Sequence, residues 1–337
     1  MIDLLTANDP AEGYPRSWYA ATATDVPPHP PLLGTLDADV CVVGAGYTGL
    51  SAALHLAKAG FRVVVLDAHG PGWGASGRNG GQVGSGQRRD QAWLERAYGT
   101  ERAQALWDMA EDAKSLVRRL VGEHKIACDL RDGIVYAAHK RHYVAEYHAQ
   151  ALHDERTYGY EALRSLDAAQ IRTLLDTEAY FGGVLDSGAA HLHPLKYAFG
   201  LARAAVAAGA LLHGKSRVLA VEPGTPARVR TEAGEVRARY VVLACNGYGG
   251  GLFPEVGARV MPINNFILAT EPLDALAPEI LPGDIAVADS RFVVNYWRRS
   301  EDGRLLFGGG ESYGYRFPRD IAALVRKPML RIYPQLA

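Results

Sequence analysis

The sequence predicts an α/β chain, α+β overall, in which a parallel-sheet domain is joined to a second, mostly antiparallel β-sheet domain. Three observations carry that expectation. Residues 39–67 read strand, helix, strand within about 30 residues, the unit that builds parallel sheets with crossover helices. Apolar runs at Asn264–Thr270, Phe292–Trp297 and Leu305–Gly308, with turn residues between them, suggest strands that return on themselves. The length of 337 residues leaves room for about two domains.

In chain order, residues 1–37 are polar and proline-rich, ending in PPHPPLLGTLDAD, and read as an extended N-terminal arm that Trp18 and Tyr19 can pin to a surface. DVCVVG, from Asp39 to Gly44, is apolar without alternation, as expected of a strand buried on both faces. Tyr47–Ala59 follows with Leu50, Ala53, Leu54 and Ala57 at helical spacing and Gly60 as its stop. FRVVVLD is a second buried strand ending at Asp67. From Gly70 to Gly86 the chain is a long glycine-rich loop, and loops of that length are functional or disordered; the interspersed polar side chains favour function.

Residues 91–124 carry one apolar stripe and read as a helix. Strands are expected at Ile134–Ala138 and Phe181–Leu185, separated by helices near 140–158 and 167–176. Pro194 opens a helix over Leu195–Ala208. Strands follow at Ala210–His213, Val218–Glu222, Arg228–Thr231 and Tyr240–Ala244, with turn glycines at 224 and 234.

The sharpest local signal is Gly44-Ala45-Gly46-Tyr47-Thr48-Gly49, a GxGxxG between a strand and a helix. Gly44 permits the tight turn, Gly46 lets backbone approach a pyrophosphate, and Gly49 allows close helix–strand packing. Phosphates would then rest on the N–H groups at the helix N-terminus. Asp67 ends the second strand, where a carboxylate accepts hydrogen bonds from a ribose diol and disfavours a 2′-phosphate. These features make a Rossmann-like dinucleotide site, and by themselves they leave NAD and FAD both open.

The chain also carries GWGASGRNGGQ at 72–82, GAAHLHPLKYAFGLARAA at 188–205, ARYVVLACNGYGG at 238–250, MPINNFILATEPL at 261–273 and RLLFGGGESYG at 304–314. With DVCVVGAGYTGLSAALHLAKAGFRVVVLDA these segments resemble the D-amino-acid-oxidase-like family of FAD-dependent oxidoreductases, in its gamma-glutamylputrescine-oxidising branch. The resemblance runs in family order from about residue 16 to the C-terminus. It implies FAD as cofactor, because ASGRNGGQ has no role in an NAD-dependent dehydrogenase, the less favoured alternative. It also implies a division of the chain into an arm (1–37), a discontinuous FAD-binding domain (38–90 and about 190–252) and a substrate domain (125–189 and 253–337) incomplete at its C-terminal side.

On that resemblance the cofactor-binding residues are Gly44, Ala45, Gly46, Tyr47, Thr48, Gly49, Asp67, Ala68, Ser76, Arg78, Asn79, Gly80, Gly81, Gln82, Val218, Ala244 and Gly247. Arg78 would offset pyrophosphate charge, and Asn79 and Gln82 would donate to polar atoms of the flavin. The implied reaction is oxidation of a C–N bond of an amine or amino acid. A hydride passes to flavin N5, and the imine is then hydrolysed, with oxygen or an electron carrier as final acceptor. Because the chemistry is flavin-centred, no catalytic side chain is singled out. Substrate-pocket candidates are Tyr296 and Arg298, which share one face of a run with period two over Phe292–Arg299, and Tyr248 and Tyr313 on glycine-flanked turns.

Family members continue past the position of Ala337 with a last strand and a glycine-rich turn, so the resemblance also admits a truncated flavoprotein fragment without activity.

Composition narrows the partners. With 36 Lys+Arg against 37 Asp+Glu the net charge is −1, and no basic cluster suited to nucleic acid or an anionic membrane surface is visible. Three scattered cysteines, Cys41, Cys128 and Cys245, fit a reducing compartment. The N-terminus lacks a basic, apolar leader and no stretch approaches the roughly 20 apolar residues of a transmembrane helix, so a cytoplasmic location is expected. His191 and His193 lack a third ligand at matching spacing; no metal is expected, and a capping or packing role fits them better.

Overall fold

In the computed structural model, which describes residues 2–9, 12–249, 251–274 and 280–337, the N-terminal third contributes strands to both sheets. Helix α1 (Trp18–Thr22) precedes β1 (Gly34–Val43), α2 (Tyr47–Lys58), β2 (Val63–Leu66) and the short β3 (Gln82–Val83). Then come α3 (Gln91–Tyr98), α4 (Thr100–Glu123), β4 (Arg131–Ala137), α5 (Arg141–Tyr158), β5 (Leu163–Leu166), α6 (Ala168–Leu175) and β6 (Gly183–His191). Helix α7 (Pro194–Ala207) leads to β7 (Leu211–His213), β8 (Ala220–Glu222), β9 (Ala227–Arg230) and β10 (Gly234–Leu243). The chain finishes with α8 (Pro254–Gly257), β11 (Asn264–Pro272), β12 (Ala286–Asp289), β13 (Tyr296–Arg299), β14 (Arg304–Ser312) and α9 (Ile321–Ile332).

Six strands form the first sheet in the order β7-β2-β1-β10-β9-β8. Its β7, β2, β1 and β10 are parallel, and β9 and β8 extend it antiparallel. The unbroken apolar run of β1 has its reason here: Val40 and Val42 pack with α2 and α7, while Cys41 and Val43 pack with Val64, Leu66 and Val236 on the other face. The second sheet runs β11-β14-β13-β12-β4-β6-β3, with β5 also on β6. Among its described strands only β12 and β4 pair in parallel. Its core gathers Trp297, Phe307, Tyr333, Val287 and Leu305 beneath α6 and α9.

Several boundaries differ from the sequence expectation for identifiable reasons. The stretch at 91–124 is two helices, because Gly99 takes φ +83 and ends α3, whose N-terminus is capped by Asp90. The N-terminal arm is not wholly extended: Ser17 caps α1, which buries Tyr19 against Leu195, Phe199 and Leu306, and β1 begins at Gly34. The strand expected from Phe292 starts at Tyr296, since residues 290–295 wrap around Asp289, whose carboxylate accepts from the amides of Arg291 and Asn295. Strands β5 and β12 are too short to carry a periodic signal, whereas helix α9, which the sequence expectation did not name, has Ile321, Leu324, Val325, Met329 and Ile332 at helical spacing, interrupted by Pro328. Among the described residues no helix is long and apolar enough to cross a membrane.

Candidate functional site

The carboxyl ends of β1, β2 and β10 meet at one point, where Gly44 N donates to Leu66 O at 2.8 Å and Ala244 N donates to Val43 O at 2.8 Å. Open parallel sheets bind ligands at such a position, beyond the strand ends. A cleft of about 250 Å³ opens there. Gly44, Ala45, Gly46, Asp67, Ala68, Ser76, Val218 and Ala244 all line it, together with Tyr248.

Glycine is required at two of these positions by contact. Gly44 has φ +109, and a Cβ on it would stand 2.7 Å from Ala244 O. A Cβ on Gly49 would stand 1.9 Å from Gly44 O, so Gly49 is what lets α2 lie against the turn. Gly46 caps α2 with no side-chain bond of its own; the space beside it is bounded only by Ser76 Oγ, which accepts from Tyr47 N at 3.1 Å. The result is a cradle of backbone with N–H groups of the first helical turn at its edge, the donor set that suits a pyrophosphate.

Asp67 holds the turn together. Its two oxygens accept from Ala45 N and His69 N, each at 2.8 Å, and each keeps a lone pair for a further donor such as a sugar hydroxyl. Desolvation raises its pKa above the usual carboxylate range, and the two amide bonds oppose that rise.

The loop from Gly74 to Gln82 leaves this cleft and reaches a second, larger cavity of about 570 Å³. Tyr47, Thr48, Asn79, Gly81 and Gln82 line it, facing α4. Asn79 and Gln82 are committed differently from the sequence expectation. Asn79 Nδ2 donates to Ala75 O and Ser76 O at 3.1 Å while its Oδ1 accepts from Gly81 N at 2.8 Å, and Gln82 Nε2 donates to Val287 O at 2.9 Å. A loop without sheet or helix must satisfy its own backbone, and these amides do so. Arg78, expected to face phosphates, pairs with Asp9 at 2.8 Å, lies over the Trp73 ring and lines neither cavity.

The substrate-pocket candidates separate. Tyr296 packs against Gly80 and Gly308, where a Cβ would meet its ring at 2.9 and 2.1 Å, and its hydroxyl donates to Asn265 Oδ1 at 2.5 Å. Arg298 is buried; its Nε donates to Gly80 O at 3.1 Å and its guanidinium lies by the Tyr19 ring, so it clamps the loop and lines no described cavity. Tyr248 stands at the cleft beyond the strand ends instead, edge-on to Trp73. Tyr313 is exposed and donates to Glu311 at 2.7 Å, away from both cavities. Gly247 faces Pro262 and is not part of the cleft lining.

Residues that the sequence did not single out also line the cleft: Leu5, Trp73 and Arg217. Trp73 sits inside GWGAS and was legible as part of that motif. Leu5 comes from a polar arm with no pattern to mark it.

His193 caps α7, its Nδ1 accepting from Lys196 N at 3.2 Å, while Nε2 meets Thr22 Oγ1 at 3.0 Å. Desolvation, with Arg298 and for His193 also Lys196 nearby, lowers His191 to about 4 and His193 to about 3. Both stay neutral when folded, so the unfolded chain takes up more protons below about pH 6.5. Stability is therefore full above that pH and falls on acidification toward the folded values. The variant His193→Asn, which keeps a capping side chain, is expected to flatten the acid limb by about 1.4 kcal/mol per pH unit between about pH 6 and 4. Denaturant unfolding at a series of pH values measures it, and an unchanged slope would contradict the buried neutral state.

Comparison with known proteins follows the same geometry. The chain is 44% identical over 324 residues to "Probable oxidoreductase OrdL" of Rhizobium meliloti (strain 1021), spanning 95% of this chain and 75% of that protein. It is 41% identical over 322 residues to "Gamma-glutamylputrescine oxidoreductase" of Escherichia coli (strain K12), with the same coverage. Among solved structures, glycine oxidase from Geobacillus kaustophilus shares the fold with a TM-score of 0.69 at 20% identity, over 89% of this chain and 79% of that one. Residues 39–337, cradle and loop included, match the FAD dependent oxidoreductase (DAO) family, and the chain belongs to that family, with FAD as its cofactor.

Proposed function

We propose that this chain oxidises the C–N bond of an amine carrying an acyl head, gamma-glutamylputrescine being the type. The observation that carries this reading is the course of the Gly74–Gln82 loop, which lines the nucleotide cleft at one end and the larger cavity at the other. Support for the substrate class comes from the 41% identical relative of that name. Residues Gly44–Gly46, Asp67, Ser76, Val218 and Ala244 would hold the adenosine diphosphate half of FAD, and Asn79–Gln82 would border its flavin half. Bound FAD supplies a two-electron acceptor, which the side chains of a protein lack.

The chain's own residues bind and condition the amine. Leu116, Val117, Leu120, Leu192, Tyr197 and Leu201 give the larger cavity an apolar wall. Desolvation there disfavours an ammonium and favours the neutral amine, the form whose nitrogen lone pair assists loss of hydride from the adjacent carbon. Tyr296 and Arg298 act as positioning residues, one filling the space that Gly80 and Gly308 leave and the other gripping Gly80 O.

Mixing the yellow holoprotein with gamma-glutamylputrescine in the absence of air is expected to bleach the flavin band and release ammonia and an aldehyde; readmitting air distinguishes oxygen from a carrier as acceptor. Persistence of the oxidised spectrum with every amine offered, while dithionite bleaches it, would sink the proposal.

A further inference from the structure

Beside the larger cavity, and sharing Gly86 and Gln87 with it, lies another of about 250 Å³. The 85–91 segment, α4, α5 and the strands β4, β5 and β6 enclose it. Its walls are aromatic: Trp107, Tyr136, Tyr147 and Tyr160. Trp107 and Tyr160 meet edge to face at 5.3 Å. Tyr160 is fixed by Lys114, whose Nζ is 2.7 Å from its hydroxyl and whose charge is offset by Glu111 at 2.8 Å.

Two buried acceptors in this lining have no donor. Asp154 is 4% exposed and Gln91 3% exposed, and neither Asp154 Oδ1 nor Gln91 Oε1 has a hydrogen-bond partner. The other carboxylates are committed: Asp90 caps α3 through Trp93 N, and Asp186 accepts from Tyr160 OH at 2.6 Å and from Gly188 N and Ala189 N. Burial pushes the Asp154 carboxyl up to about 6, Glu95 and Asp90 push the same way, and His153 and a donor from the Gln150 side chain, also in the lining, oppose them. Unpaired buried acceptors are costly unless a donor arrives. Acceptors set among ring faces suit an ammonium, which donates three hydrogen bonds and is drawn to π faces. Arg88 also lines the cavity and is exposed, with no partner among the described residues, while Arg89 is placed over the Trp93 ring.

We infer that this cavity receives the α-amino-acid head of the substrate, its ammonium against Asp154 and Gln91 and its carboxylate against Arg88. The inference rests on the acylated-diamine reading, which supplies a head with both charges. It separates recognition from reaction: the charged head is read in the aromatic cavity while the distal amine is left to the larger one.

The probe is gamma-glutamyl ethylamide, which keeps the head with its α-amino group and lacks the distal amine, titrated calorimetrically into the holoprotein. Wild type is expected to bind it, Asp154→Asn about 30-fold more weakly and Arg88→Ala about 10-fold more weakly, the losses of a buried and a rim charge partner. N-ethylglutaramic acid, lacking the amino group, should bind wild type as weakly as the Asp154→Asn variant binds the full head. Asp154→Asn removes a buried unpaired charge and Arg88 is exposed, so both variants should keep the wild-type flavin content and melting temperature. Binding by both variants within about twofold of wild type, equal binding of the analogue, or no binding to wild type would overturn the assignment. Flavin bleaching is read in parallel. Turnover of another amine with a KM indifferent to Asp154→Asn leaves the oxidoreductase reading standing and this one fallen; Asp154-dependent binding without bleaching by any amine does the reverse.

Discussion

Gly49→Val is expected to give a protein that fails to accumulate in folded form or, where it folds, purifies without FAD. The added Cβ would stand 1.9 Å from Gly44 O and 3.2 Å from Val42 Cγ1, and backbone cannot swing aside as a flexible side chain can. Helix α2 must then lift from β1, opening the turn whose amides face the cleft. Overpacking of a rigid contact costs about 3 kcal/mol or more, a large share of a domain's stability. Gly122→Ala in α4 is the control, since nothing lies within 4 Å of the new methyl and alanine favours a helix. Flavin absorbance relative to protein, with the melting temperature, reads both outcomes. A yellow Gly49→Val protein of normal stability would mean that the helix does not approach the strand this closely.

Asp289→Ala is expected to be the most damaging change in the second sheet. The Asp289 carboxylate is buried and accepts from Asn295 N at 3.0 Å, Asn295 Nδ2 at 2.9 Å, Tyr180 OH at 3.0 Å, Arg291 N at 3.1 Å and the Arg291 guanidinium. Truncation strands several buried donors at once beside a partly exposed cation, a loss of about 3 kcal/mol. Because this wrap delivers the chain into β13, Tyr296 and Arg298 lose their placement against Gly80 as well. Asp289→Asn keeps the shape and should recover part of the loss. Denaturant unfolding gives the size of each effect, and a change under about 1 kcal/mol for the alanine variant would remove the wrap from the account.

Asp289 also shows what the sequence conveys and what it does not. The alternation in FVVNYWRR is real: Trp297 faces the core, and Tyr296 and Arg298 share the opposite face. The pattern could not reveal that a carboxylate a few residues upstream captures Asn295 and delays the strand. The candidate cradle was legible because its determinants are local: glycines, a helix start and a strand-end acid lie within one short unit. The aromatic cavity was not, because Trp107, Tyr136, Tyr147 and Tyr160 come from separate elements and share no period. The expectation for Arg78 has a different origin. Charge suggested phosphate, but Asp9 sits where only tertiary structure could bring it.

Asp9 belongs to a segment with wider reach. Asp3 meets Arg217, Leu5 O meets His69, Tyr14 OH donates to Pro71 O, and Asn8 bonds the backbone of Tyr315 and Phe317. Those last partners lie 307 and 309 residues downstream. At a synthesis rate of about 5–20 residues per second they emerge roughly 15 to 60 seconds after Asn8 does. A segment made before them thus completes its contacts only after about 300 further residues have followed, although its bonds to His69 and Pro71 become available much sooner. The wall that Leu5 adds to the cleft is therefore held by contacts completed at widely separated stages of synthesis, from His69 to Phe317.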